Sequence, residues 1–223
     1  MKHPPQTRTA PDNPTSDPAA APRRRTALDL WLIALPIVGV VATLLASQAD
    51  EPLKNWVAVH SGSIWKWFGL CLLVSGVLIG LQGMRSMPNG DRLLIGFLAP
   101  VLFSTAIVHL LKALVGRARP FMNDGTGAFI PLAMRGEFES FPSGHTQYAF
   151  AVATIWFLHW PRLRWIALPW AIFVAFERIL TGKHFLTDVI VGATIGAFCT
   201  LLFTRILGER FYRMTPINEK AGD

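Results

Sequence analysis

The sequence predicts an all-α, polytopic membrane protein with six transmembrane helices and a functional site at the extracytoplasmic face. Apolar residues make up 52% of the 223-residue chain and charged residues only 16%, against about 25% charged in soluble domains. The apolar residues form runs of the length needed to cross about 30 Å of hydrocarbon. The basic residues sit between or beside those runs. These observations set the class, and the elements follow in chain order.

Residues 1–26 are rich in Pro, Ala, Thr and Asp, with Pro4, Pro5, Pro11, Pro14, Pro18 and Pro22 spaced along them. Such a stretch has neither the apolar period nor the backbone freedom of a helix, and is expected to be a disordered cytoplasmic tail. It ends in Arg23-Arg24-Arg25 against an apolar run. A secretory signal has a similar outline. This run, however, starts too late and is too long, and Ala46-Ser47-Gln48 is a poor cleavage site, so it reads as a first membrane anchor. A membrane domain, 27–208, then holds spans expected near Leu28–Ser47, Ile64–Leu81, Leu93–Leu111, Thr146–Trp160, Trp165–Leu180 and Phe185–Ile206. The fourth is short and needs His145 or Trp160 at the interface. Trp56, Trp65, Trp67, Trp160 and Trp165 fall near span ends, as an aromatic belt does. Residues 209–223 form a short cytoplasmic tail.

The net charge of +7 does not point to nucleic acid, because the basic residues follow the membrane pattern and the anion-binding pattern below. Cys71 and Cys199 both lie in apolar runs and read as small buried hydrophobes. Orientation follows Lys and Arg in the short loops. With the amino terminus inside, the inner segments carry Arg23 to Arg25, Arg85 and Arg92, Arg162 and Arg164, and Arg205, Arg210 and Arg213. The first outer loop has Asp50 and Glu51 against Lys54. Both termini inside is the favoured topology.

On that topology the unusual polar residues converge. The third span runs outward to Lys112, followed by Arg117, Arg119 and Pro120. The fourth enters from outside at Pro142-Ser143-Gly144-His145. The fifth runs outward to Arg178, and the sixth starts near His184 and Asp188. Helix counting alone thus brings Lys112, Arg119, Ser143, Gly144, His145, Arg178, His184 and Asp188 to one membrane face. Lys and two Arg match phosphate or pyrophosphate. Pro-Ser-Gly before a helix presents N–H groups and a hydroxyl to an anion at the positive helix end. His184 and Asp188, four apart, share a helix face, and a carboxylate there can orient the imidazole. Two histidines allow one to attack while the other moves a proton. Singly, each group has an ordinary reading: snorkelling cations, a turn, a polar pair between helices. Around them, His109 reads as a satisfied interior histidine and Lys183 as an interface anchor, contact with a second phosphate is the minority reading of Arg117 and Arg135, and Gln147 is left open. The loop 121–140, with Phe121, Phe129, Ile130, Leu132, Met134 and Phe138, either dips into the headgroups or is an ordinary surface loop.

These residues resemble the three motifs of the type-2 phosphatidate phosphatase superfamily, which includes the vanadium-dependent haloperoxidases. The motifs, Lys-x6-Arg-Pro, Pro-Ser-Gly-His and Ser-Arg-x5-His-x3-Asp, are matched by Lys112 through Arg119-Pro120, by Pro142 to His145, and by Arg178 through His184 to Asp188. One position departs: Glu177 stands where the family has Ser, and a carboxylate pointing inward there would repel phosphate. The resemblance implies that His184 attacks phosphorus to give a phosphohistidine, with Asp188 fixing its tautomer. It further implies that His145 serves the leaving group and then water, while Lys112, Arg119, Arg178, Ser143 and the Gly144 amide hold the phosphoryl oxygens. No metal or other cofactor is expected, since the cations take the place Mg²⁺ has in many phosphotransferases. The expected activity is removal of phosphate from a lipid phosphate or lipid pyrophosphate in the bilayer, in a bacterial inner membrane with the site facing the periplasm. Phosphatidate, phosphatidylglycerophosphate, undecaprenyl pyrophosphate and lipid A phosphate all fit, and no oligomeric state is implied. Rival readings are a lipid phosphotransferase, a haloperoxidase, or a non-enzymatic transporter or scaffold.

Overall fold

The computed structural model describes residues 20–60, 94–122, 127–160 and 162–208, with positions 67, 69, 71, 74–76 and 78 between the first two stretches. Six helices carry the described chain: α1 (Ala20–Ala46), α2 (Asp50–His60), α3 (Ala99–Val115), α4 (Gly144–His159), α5 (Arg164–Leu180) and α6 (Leu186–Leu207). The isolated positions from 67 to 78 are helical. They fall in the expected second span, the rest of which lies outside the described residues, as do both tails beyond 20 and 208.

Among the described residues, three helical stretches are long and apolar enough to cross a membrane: Ala27–His60, Ile95–Val115 and Leu186–Leu207. The chain is an integral membrane protein, and its surface agrees with a lipid solvent. Leu30, Ile33, Leu44, Leu45, Leu102, Trp165 and Phe173 are exposed on helix flanks where only hydrocarbon would accept them. α4 has 16 residues and α5 has 17, or about 24–26 Å at 1.5 Å per residue, so each is slightly shorter than the hydrocarbon layer.

Two expectations need correction. α1 starts at Ala20, inside the stretch expected to be unstructured. Its Pro22 falls in the first turn, where a missing N–H leaves no helix bond unmade. The residues after Ala46 are also not simply a loop: a 3₁₀ turn, Ser47–Ala49, leads directly into α2. Asp50 and Glu51 occupy the first turn of α2, as the helix dipole favours, and Val57 is buried while Trp56 and Val59 face outward. A π-helical turn, Leu94–Leu98, leads into α3, and Pro100 near the start of α3 again falls where no N–H is needed.

α4 and α6 form the centre, with α3 against both, α1 against α6 and α5 against α4. The close approach of α4 and α6 depends on Gly192 and Gly196. A Cβ on either would run into the α4 backbone, at the carbonyls of Ser143 and Gln147 respectively. Small residues four apart are the usual device for such contact in lipid, where apolar burial gives helices little reason to associate. The core around α4 and α5 contains Ala149, Val152, Ile155, Trp156, Trp170 and Val174. Gln147 is part of this interior: its Nε2 donates to Ser104 at 2.6 Å and its Oε1 accepts from Thr105 at 3.2 Å, clasping α4 to α3.

Candidate active site

The site forms where α3 and α5 end and α4 and α6 begin. Gly116 closes α3 in the left-handed conformation (φ 58°), its N–H bonding the Lys112 carbonyl at 3.0 Å. A side chain there would be strained and would strike the Ile130 backbone. The reversal lays the next residues across the bundle end. Loop 127–140 folds back on them through Ile130 N–H to Gly116, Ala118 N–H to Ala128 and Ser140 N–H to Arg117, at 2.7, 2.9 and 3.0 Å. Lys112 is buried, and its ammonium donates to the Glu139 carbonyl. Arg119, half-buried, donates from Nε to the Gly136 carbonyl at 2.6 Å.

His184 is buried between α5 and α6. Its Nδ1 lies 2.6 Å from the carbonyl oxygen of Ser140. A carbonyl can only accept, so Nδ1 carries the proton and Nε2 keeps its lone pair. The sequence assigns this orienting role to Asp188, but the nearest carboxylate oxygen is 3.8 Å from Nδ1, too long for a hydrogen bond. Asp188 acts one step back. Its Oδ2 accepts the Ser140 hydroxyl at 2.5 Å and the Phe185 N–H at 2.8 Å, and its Oδ1 accepts from Arg117 at 2.6 Å. The carboxylate thus fixes the residue whose carbonyl fixes the imidazole. Burial holds the His184 imidazole below its ordinary value, against the attraction of Asp188.

Ser143 caps α4 and is fully buried. Its N–H bonds the Asp188 carbonyl at 3.0 Å and its hydroxyl pairs with Thr146 at 2.9 Å, so its polar groups are engaged within the protein. Gly144 and His145 follow as the first residues of α4, with N–H groups for which the helix has no internal acceptor. His145 is exposed. Crowding by protein atoms, then the positive charges of Arg178, His184, Lys112 and Arg119, hold its imidazole down to about 4. For an exposed ring, the part that survives contact with water is the field of those cations. Groups from the other two motifs act on this one side chain.

Arg178 ends α5 and is held by its neighbour: Nε and Nη2 both donate to the Glu177 carboxylate. Glu177 is 2% exposed. Its carboxylate rests where a Cβ on Gly69 would come within 2.5 Å of Oε1 and 2.6 Å of Oε2. The carboxylate at the family's Ser position is therefore turned onto the guanidinium and against a glycine of the segment containing residue 69.

Other sequence readings fall differently. Arg117 is not a surface contact for a second phosphate. It is 6% exposed, paired with Asp50 at 3.0 Å and Asp188 at 2.6 Å, and its guanidinium lies 4.1 Å from the Phe185 ring centre. Arg135 is exposed, and so is His109, on the outer flank of α3 rather than inside. Lys183 sits 4.9 Å from the Phe121 ring. Sequence reasoning missed Ser140, Thr187 and Asp50 as parts of the site. Ser140 acts largely through its carbonyl, which has no sequence signature. Asp50 had one available signal, a carboxylate at the outer end of an apolar run, which served only to count charge.

The family model of the PAP2 superfamily matches residues 93–212, more than half of the chain, and the chain belongs to that superfamily. It is 32% identical over 177 residues to a lipid A 1-phosphatase of Rhizobium johnstonii, an alignment covering 72% of this chain and 70% of that protein. It is 34% identical over 120 residues to a lipid A 4'-phosphatase of Bacteroides thetaiotaomicron, covering 50% and 53%. Among solved structures, the crystal structure of Aquifex aeolicus LpxE superposes with a TM-score of 0.54 at 24% identity, covering 70% of this chain and 95% of that one. That likeness concerns the fold.

Proposed function

We propose that the chain is an integral membrane phosphatase that hydrolyses a lipid phosphate, with the phosphate monoester of lipid A the foremost substrate among those its motifs admit. The single observation that carries the reading is His184: buried, with Nδ1 protonated against the Ser140 carbonyl and an electron pair on Nε2. In the proposed reaction Nε2 attacks phosphorus, the bond to the leaving oxygen breaks, and that oxygen takes a proton from His145. Water then gives a proton to His145 and attacks the phosphohistidine, the N–P bond breaks, and inorganic phosphate leaves. Lys112, Arg119 and Arg178 hold the phosphoryl oxygens as charge builds, with the Gly144 amide at the start of α4. Ser143 acts by shaping that turn, since its hydroxyl is paired with Thr146.

The lipid A preference is supported by the names of the relatives, both lipid A phosphatases. Six spans with both termini inside would put the site on the periplasmic side of a bacterial inner membrane. Loop residues Phe129, Ile130, Leu132 and Met134, all about half exposed or more, would then meet the headgroup layer beside it. The test is phosphate release by the purified protein in detergent, in excess EDTA, across lipid A 1-phosphate, lipid A 4'-phosphate, phosphatidate, phosphatidylglycerophosphate and undecaprenyl pyrophosphate. Release from lipid A with EDTA present, stopped by vanadate, is the expected result. Activity that needs a divalent cation, or transfer to a second lipid instead of free phosphate, would displace the proposal.

A further inference from the structure

Asp50 lies outside the residues that match the family, 93–212, yet its carboxylate is 2% exposed and fully engaged with residues of the site. Oδ1 accepts the Thr187 N–H at 3.1 Å, and Oδ2 accepts the Thr187 hydroxyl at 2.6 Å and Arg117 Nη2 at 3.0 Å. Arg117 Nη1 donates onward to Thr187 Oγ1 and to Asp188 Oδ1, each at 2.6 Å. Asp188 holds the Ser140 hydroxyl, and the Ser140 carbonyl holds His184. An unbroken series of buried bonds thus runs from the first residue of α2 to the imidazole. Every member is buried, in an interior where a polar bond is stronger, and its loss costlier, than in water.

We propose that Asp50 is a positioning residue for His184, acting through Arg117, Asp188 and Ser140, so that the juxtamembrane helix α2 belongs to the catalytic machinery. The inference rests on His184 being the nucleophile. Charge balance supports it. Asp188 takes Nη1 of Arg117 and Asp50 takes Nη2, so the two carboxylates hold the guanidinium at both of its terminal nitrogens. The arrangement also has a polarity that an isosteric change reverses. Both oxygens of Asp50 accept, so Asp50→Asn must set an amide N–H₂ against a donor.

The experiment has two readouts on the full chain in detergent micelles. One is kcat and KM for lipid A 1-phosphate. The other is the tautomer of His184 from ¹⁵N-histidine NMR, assigned by its loss in His184→Gln. Asp50→Asn is expected to lower kcat by about 100-fold, the scale of a misplacement of about 1 Å at the reacting atoms, with KM nearly unchanged. The Nδ1–H tautomer should become a mixture, and Asp50→Glu should recover part of both signals. Thr187→Val removes one hydroxyl from the series and should move both in the same direction by less. Wild-type kcat and an unchanged tautomer in either folded variant would overturn the inference. So would a fall in activity accounted for wholly by less folded protein. If the unaltered chain releases no phosphate from any lipid, the function reading fails on its own, and the tautomer measurement still decides whether Asp50 positions the ring.

Discussion

The two ends of the helix bundle each hold an arginine paired with aspartate, and the pairs differ in what surrounds them. At the site end, Arg117 is enclosed between Asp50 and Asp188, with side chains 7%, 2% and 0% exposed. At the other end Arg205 meets Asp29 at 2.5 Å with side chains 40% and 46% exposed. A contact distance does not distinguish them. In the open pair each charge keeps much of its water, so its loss leaves little uncompensated. In the enclosed pair the desolvation has already occurred, and removing one partner strands the other. The open pair joins the first half of α1 to the last turn of α6. The enclosed one sets where a loop carbonyl stands, and through it which nitrogen of His184 is free.

The largest test of that difference is chemical. His184→Ala should abolish turnover, and His145→Ala should lower kcat by roughly 10²–10⁴-fold, both with the protein still in the membrane and folded. Phosphate release and a membrane-fraction immunoblot measure the two together. If either histidine can be lost without effect, the site end has no chemistry to organise and the comparison loses its point. Next comes stability. Arg117→Ala leaves two buried carboxylates facing each other and should cost about 3–5 kcal/mol, seen as a lower midpoint in thermal unfolding in detergent. Arg205→Ala should leave that midpoint where it is. Equal shifts in the two variants would mean that burial does not distinguish the ends.

Much of the site was legible because its chemistry demands particular residue types at fixed spacing. Lys112, Arg119, His145, Arg178, His184 and Asp188 are named by their motifs, and helix counting brings their helix ends together. What spacing cannot convey is the direction of a side chain. Nothing in the spacing tells that the Ser143 hydroxyl also meets Thr146, or that Arg117 faces inward although it lies two residues from Arg119. Asp50 touches Thr187 across 137 positions of sequence, a separation no local pattern encodes. Helix limits were readable to within two residues for α4 to α6, whereas α3 runs past the expected end at Leu111, through Lys112 to Val115. α2 was missed because eleven residues with one buried apolar side chain, Val57, and a charged first turn give no long apolar stretch. The closeness of α4 and α6 could have been read from Gly192 and Gly196, four apart on one helix face.

A smaller test concerns Arg178, the one site cation whose carboxylate comes from its own neighbour. Gly69→Ala places a methyl against Glu177 and should destabilise by about 1–3 kcal/mol through overpacking. In a Glu177→Ser background the same change should be close to neutral, because the shorter side chain vacates the space. A double-mutant cycle on thermal unfolding reads the coupling. Additive effects would mean that Glu177 can leave Gly69 freely, and that the hold on Arg178 is loose like the open pair at the far end.

The finest test reads the field inside the site. Crowding by protein atoms first, and then the site's cations, led by Arg178, hold His145 down to about 4. A nearby positive charge disfavours the imidazolium, so removing one must raise the value. Arg178→Gln should therefore move the His145 titration upward, and a bound phosphate analogue such as vanadate should do so as well, by adding negative charge beside the ring. The free protein then has His145 neutral at pH 7, and the arriving phosphate raises the proton affinity of the group that must protonate the leaving oxygen. Histidine NMR titrations of the free, vanadate-bound and Arg178→Gln proteins check the sign in each case. A titration that stays put when Arg178 is neutralised would show that the Glu177 carboxylate already cancels its charge. The cation at the end of α5 would then be electrostatically silent, as the exposed Arg205 is at the other end, and the contrast between the two ends would narrow to the enclosed pair alone.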